Sequence, residues 1–194
     1  ERTADHDRAV LEQGVREVNL VSQDTLAYGR DLRPRVELAA LVERIADIPG
    51  LAWVRLHYLY PEPLPRPLLA LLADHPRVLP YVDIPFQHAS DAMLRRMRRG
   101  HGSRRLRELV TTLRERVPGV VIRSAFIVGH PGETDADFAE LADFVTWAKL
   151  DRLGATIVVT AKTLSARGSR PSAAARARMS ATTGAITSGR VPCT

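Results

Sequence analysis

The sequence predicts an α/β domain: a parallel sheet forming an open, partial (β/α)6 barrel whose first strand is missing. Three observations predict it. Short apolar, β-branched runs alternate with stretches of helical periodicity. Strand starts fall near residues 17, 52, 80, 120 and 152, each one strand–helix–strand unit from the next. A chain of 194 residues, 45% hydrophobic, is large enough to bury one medium core.

The elements follow in order. Residues 5–13 read as a helix. In a repeating unit that helix needs a strand before it, which implies a strand upstream of residue 1 and six strands in all, not the eight of a closed barrel. Residue 1 is not Met, and the chain is read as an internal fragment. Residues 17–22 (EVNLVS) read as the first visible strand. Residues 35–48 place Leu38, Leu41, Val42 and Ile45 on one helical face. Residues 52–57 (AWVRLH) and 81–84 (YVDI) are strands. Ser90 is positioned to cap a helix over 91–97. Residues 104–117 carry the apolar stripe Leu106, Leu109, Val110 and Leu113. Residues 120–128 (VVIRSAFIV) form the longest strand. Thr134 caps the next helix, with Asp137 at the third position and Phe138, Leu141 and Val145 turned inward. A fifth visible strand starts at Arg152. The domain is read as 1–154.

Charge separates the remainder. The net charge is +6. Residues 155–194 contain Lys162, Arg167, Arg170, Arg176, Arg178 and Arg190 and no acid, so the whole excess lies there. The tail is read as a low-complexity basic segment, disordered or translated out of frame. Only two of the 28 basic residues are lysines, a bias that base composition explains, so the charge is not taken as a nucleic-acid signal. Residues 93–99 (MLRRMRR) carry four arginines, which suit either a solvated helix face or an acidic partner. No run of 18 apolar residues exists and the start is charged, which points to a cytoplasmic protein with no membrane partner. The single cysteine, Cys193, excludes a disulfide scaffold or a cysteine-built metal site within the chain.

Parallel α/β folds bind ligands at the carboxyl ends of strands. Gln23 and Asp24 follow the first strand, His57 the second, Gln87 and His88 the third, and Gly129 to Thr134 (GHPGET) the fourth. Gly129 and Gly132 permit close backbone approach to a ligand. The segment is not a phosphate-binding P-loop, because no lysine follows the second glycine. His57, His88 and His130, with Asp83 or Asp24, would be the ligands if the chain held zinc or iron, as in a metal-dependent hydrolase. His6, His75 and His101 read as surface residues.

Four segments in register carry a family resemblance: GVREVNLVSQDTLAYGRDL from Gly14, RLHYLYP from Arg55, PYVDIPFQHASDAMLRRMRRG from Pro80 and RSAFIVGHPGET from Arg123. Together they resemble the radical S-adenosylmethionine domain of the methylthiotransferases, over about residues 8 to 154. The QDT and QHAS segments are more similar to the RimO type, which acts on an aspartate of a small-subunit ribosomal protein, than to the tRNA-modifying type, the alternative. The resemblance implies a TIM-like partial barrel of the radical SAM type, S-adenosylmethionine as cofactor, 4Fe-4S clusters, and a ribosomal protein partner, with nucleic acid met only indirectly. It implies that Gln23 lies near the methionine end of the cofactor. Gln87 would contact its ribose or methionine moiety and Arg123 its carboxylate. Ile127 and Gly129 would pack beside the adenine. The family's CxxxCxxC loop is not in this sequence. The chain therefore ligates no cluster and is expected to be inactive alone.

Overall fold

The computed structural model describes residues 14–158. Five strands form one sheet in the order β1-β2-β3-β4-β5, every neighbouring pair parallel. They are β1 (Glu17–Leu20), β2 (Trp53–Leu56), β3 (Val78–Asp83), β4 (Val121–Val128) and β5 (Arg152–Ile157). All five expected strands are present. β5 runs across the 154/155 boundary drawn from composition. The helix expected over 5–13 and most of the basic tail, from residue 159 on, lie outside the described residues, as do His6 and Cys193.

Consecutive strands are spatial neighbours throughout. Right-handed crossovers that always step the same way put every helix on one face of the sheet. This is the winding of a barrel, not of a doubly wound sheet, which would reverse direction and cover both faces. The helices are α1 (Leu38–Ala46), α2 (Arg66–Asp74), α3 (Asp91–Arg96), α4 (Ser103–Arg116) and α5 (Asp135–Ala148). A 3-10 turn, Thr25–Ala27, follows β1 and is capped by the Asp24 carboxylate.

β4 shows the two faces clearly. Ile122, Ser124, Phe126 and Val128 are buried toward the helices, and the alternate residues are half-buried on the inner face. Phe126 meets Phe86 and Phe144 at centroid separations of 6.2 and 6.4 Å, with Phe86 and Phe144 edge-to-face at 5.7 Å. This trio joins the loop after β3 to α5.

Three local readings need correction. α2 carries no mark in the helical patterns above. Pro65 and Pro67 flank its start, where a missing N–H costs nothing, and Leu68 and Leu72 bury one turn apart. Ser90 precedes α3 but does not cap it with its side chain. Its hydroxyl instead donates to Asp137 Oδ1 at 2.5 Å. His101 is not a surface residue. It is 7% exposed, its two ring nitrogens bond to no described residue, and its ring meets Tyr60 edge-on at 5.7 Å.

Burial, reinforced by the nearby Arg99 and Arg105 charges, pushes the His101 pKa down to about 4. Its folded-state pKa therefore lies below the unfolded value near 6.5, so the unfolded chain binds the extra proton. Stability from keeping this ring neutral is complete above about pH 6.5 and is lost as pH falls toward 4. Urea midpoints at pH 7 and pH 5 should therefore differ less in His101→Phe, which keeps the ring against Tyr60, than in the parent. Equal pH dependence in both would refute the assignment.

Candidate active site on the inner face

The loop after each strand is tied to its neighbour. Thr25 N donates to Tyr58 O at 3.1 Å and its hydroxyl to His57 O at 2.6 Å, joining the loops after β1 and β2. Ile84 N donates to Arg123 O and Gln87 N to Ala125 O, both at 2.9 Å, while Ile127 N returns to Gln87 O at 2.7 Å. Gln87 is thus bridged to β4 beyond the end of β3. It holds φ +70°, a left-handed conformation that a side chain adopts at a cost of about 1–2 kcal/mol. Its side-chain amide bonds to no other described residue.

The turn after β4 is closed by Glu133. One carboxylate oxygen accepts from the Gly129 and His130 backbone N–H groups, the other faces His88 Nε2 at 3.3 Å. His88 is fully buried and its Nδ1 accepts from Ser90 N at 3.0 Å. Asp137, held by the Ser90 hydroxyl and by Thr134 in a capping box, has its pKa lowered to about 2 by those hydrogen bonds. So His88 and Ser90 of one loop are bound to Glu133 and Asp137 of the other. Sequence reasoning missed Glu133. Its signal was the acid directly after Gly132, placed to fold back on the amides of its own turn.

Gly129 has φ +78°, and a Cβ there would lie 3.0 Å from Val158 O. Only glycine fits without moving β5's end. Ile127 is half-buried on the inner face two residues earlier. Gln87, Ile127 and Gly129 are therefore brought together at one end of the sheet. Gln23 is exposed beyond β1, separated from them by β2 and β3.

Arg123 lies deeper. Its Nη1 bonds Asp83 Oδ1 at 2.7 Å, directly across the β3–β4 register. Asp83 is fully buried and its other oxygen faces His57 Nδ1 at 3.3 Å. His57 Nε2 faces Asn19 Oδ1 at 3.2 Å. Burial works against the Arg123 charge, but the bond and charge of Asp83 outweigh it and raise the pKa. Beside this chain of contacts, Arg55 pairs with Glu17 at 2.7 Å and lies 4.6 Å from the Tyr81 ring centroid. The three histidines weighed as metal ligands are dispersed: His57 is on Asp83, His88 on Glu133, and His130 Nδ1 on Pro131 O. Among the described residues, no group of three His, Cys, Asp or Glu could hold a metal.

The model of the radical SAM superfamily matches residues 4–145. The chain belongs to the radical SAM superfamily. Its likeness to the methylthiotransferases is borne out as well. It is 67% identical over 147 residues to the ribosomal protein uS12 methylthiotransferase RimO of Sorangium cellulosum (strain So ce56), covering 73% of this chain and 30% of that protein. It is 52% identical over 147 residues to the same-named protein of Desulforudis audaxviator (strain MP104C), covering 76% and 33%. The chain thus spans about a third of the length of these relatives. Two solved structures share the fold. One is the radical S-adenosylmethionine methyltransferase TsrM of Kitasatospora setae, with cobalamin and a [4Fe-4S] cluster bound (TM-score 0.58, 19% identity, 79% of this chain and 29% of that one). The other is SuiB of Streptococcus suis (TM-score 0.57, 15% identity, 94% and 40%).

The residues present fit S-adenosylmethionine: an exposed turn at Gly129, a half-buried Ile127, and a Gln87 side-chain amide bonded to no other described residue. They do not fit an iron–sulfur cluster. Such clusters take several thiolates, and the 194 residues contain one cysteine.

The left-handed backbone at Gln87 is testable apart from any ligand. Gln87→Gly should be about 1 kcal/mol more stable than Gln87→Ala in urea unfolding, because both lose the amide and only glycine relieves the strain. Equal stability would mean that Gln87 is not held left-handed.

Proposed function

We propose that this chain is the cofactor-binding part of a radical S-adenosylmethionine methylthiotransferase that modifies an aspartate of ribosomal protein uS12. The observation that carries the reading is the 67% identity over 147 residues to the Sorangium cellulosum uS12 methylthiotransferase. The inner-face geometry supports it. The exposed turn at Gly129 lies beside the nucleoside, and Ile127 offers an apolar surface to the adenine. Gln87, unbonded, serves the ribose or the methionine moiety. Gln23, exposed beyond β1, is assigned to the methionine end on the family resemblance alone. When bound, the cofactor supplies the hydrogen-abstracting group. This chain's part is to bind it, orient it and shield it from water between β3 and β4. The reading carries with it a cytoplasmic location and a small-subunit ribosomal protein as partner. The tRNA-modifying alternative draws no support from the relatives' names, which are uS12 methylthiotransferases.

A chimera tests it. The matched 147 residues replace their counterpart in the Sorangium cellulosum protein, which is then reconstituted anaerobically and given uS12. Mass spectrometry should show a methylthio group in place of one hydrogen on an aspartate of uS12. A folded, cluster-loaded chimera that cleaves the cofactor and modifies tRNA instead, or modifies neither, overturns the reading.

A further inference from the structure

The inner face of the sheet carries one positive charge more than it neutralises. Glu17 is paired with Arg55, and Asp83 with Arg123. Arg152 makes no ion pair with a described residue. The acid beside it, Asp151, is bonded to Arg114 and to the Ile122 backbone. The register sets Arg152 directly opposite Arg123. Opposed residues on neighbouring strands share a face, and like charges so placed repel. Arg123 uses Nη1 on Asp83, while its side chain remains 41% exposed. Its other N–H groups are available, since a guanidinium carries five donors and no acceptor.

Tyr81 adds a neutral donor. It is two residues before Asp83 on β3 and so on the same face. Its hydroxyl bonds to no described residue. Burial raises its pKa, so it stays protonated. Two arginines and a tyrosine thus share one face of three adjacent strands, and none of the acids described there is left to answer the second charge.

We propose that Arg123 and Arg152, with Tyr81 beside them, form a carboxylate-binding pair that takes the acidic side chain of the substrate peptide. Planar guanidinium groups hold a carboxylate through paired hydrogen bonds, and two arginines from adjacent strands fix its orientation as well as its charge. The position favours substrate over cofactor. Arg123 precedes Ile127 by four residues, about 13 Å along the strand. A carboxylate held here lies well below the Gly129 turn, where the cofactor's nucleoside is assigned. This inference rests on the function proposed above for its choice of a peptide aspartate. The pair itself rests only on the register and the unanswered charge.

The test uses the full 194-residue chain, labelled with 15N, and follows the arginine Nε–Hε resonances. The probe is N-acetyl-L-aspartate N-methylamide, with the asparagine counterpart as control. The Arg123 and Arg152 resonances should move with the aspartate probe and not with the control. Arg152→Gln should weaken the probe about tenfold without lowering the melting temperature, since it removes a repelled, exposed charge. Arg123→Lys, which keeps a cation for Asp83 but loses the planar fork, should also weaken it. Equal response to the control, no response, or unchanged affinity in Arg152→Gln overturns the proposal. If S-adenosylmethionine alone moves both resonances and displaces the aspartate probe, the carboxylate is the cofactor's and the proposal also falls. A uS12 peptide bearing the aspartate is then added as competitor. If the aspartate probe binds the pair and this peptide fails to displace it, the pair stands and the uS12 reading fails separately.

Discussion

The Asp83 carboxylate organises the inner face. It is fully buried at the end of β3, and its two oxygens are divided between Arg123 on β4 and His57 beyond β2. His57 passes the link to Asn19 on β1. One carboxylate therefore couples four of the five described strands in a single transverse line. A buried carboxylate without partners would be very costly, so Asp83 holds both partners in place. The line therefore fixes how β2, β3 and β4 sit relative to one another. Above it the strands end and the loops begin. That is the level at which Gln87, Ile127 and Gly129 converge.

The loops are held by a second, independent set of bonds. Glu133 satisfies the amides of its own turn and reaches the buried His88. Asp137 caps α5 and holds the Ser90 hydroxyl. Two consecutive loops are joined through carboxylates, each of which does local and long-range work at once. The left-handed Gln87 backbone lies inside this frame. Its strain is sustained because bonds to Ala125 O and from Ile127 N fix the peptide groups on both sides. A binding residue so constrained loses little freedom when a ligand arrives, which favours affinity.

The sequence made the strands and most helices legible because their signals are local. Val121 to Val128 alternates in burial as its β-branched and aromatic residues suggest, and Thr134 with Asp137 forms the capping box that their spacing announces. The family resemblance was legible for the same reason, as runs of residues in register. What escaped depended on partners distant in sequence. Ser90 looked like a cap because it precedes a helix, yet Asp137, 47 residues on, takes its hydroxyl. His101 looked exposed because it lies among arginines and glycines, yet Tyr60 covers it from the loop after β2. The helix Arg66–Asp74 was obscured by its prolines, which open a helix as readily as they break one.

The winding of the sheet explains why the chemistry collects where it does. Same-direction crossovers cover one face with helices, and there the core is almost entirely apolar, as Val54, Leu56, Val82, Ile122 and Phe126 show. The charged residues of the strands are thereby confined to the other face, while Ser124, polar and on the helix face, donates its hydroxyl to Ile84 O at 2.8 Å. A polar face must satisfy itself or be satisfied by a ligand. On β1 to β3 it satisfies itself: Glu17 with Arg55, Asn19 with His57, His57 with Asp83. At the β4–β5 edge that internal pairing stops, because Asp83 is already shared and Arg152 arrives with no acid among the described residues facing it. The unbalanced charge is therefore not spread over the protein. It lies at one junction, directly below the glycine turn, which is the arrangement expected of a surface shaped for an anion rather than for folding alone.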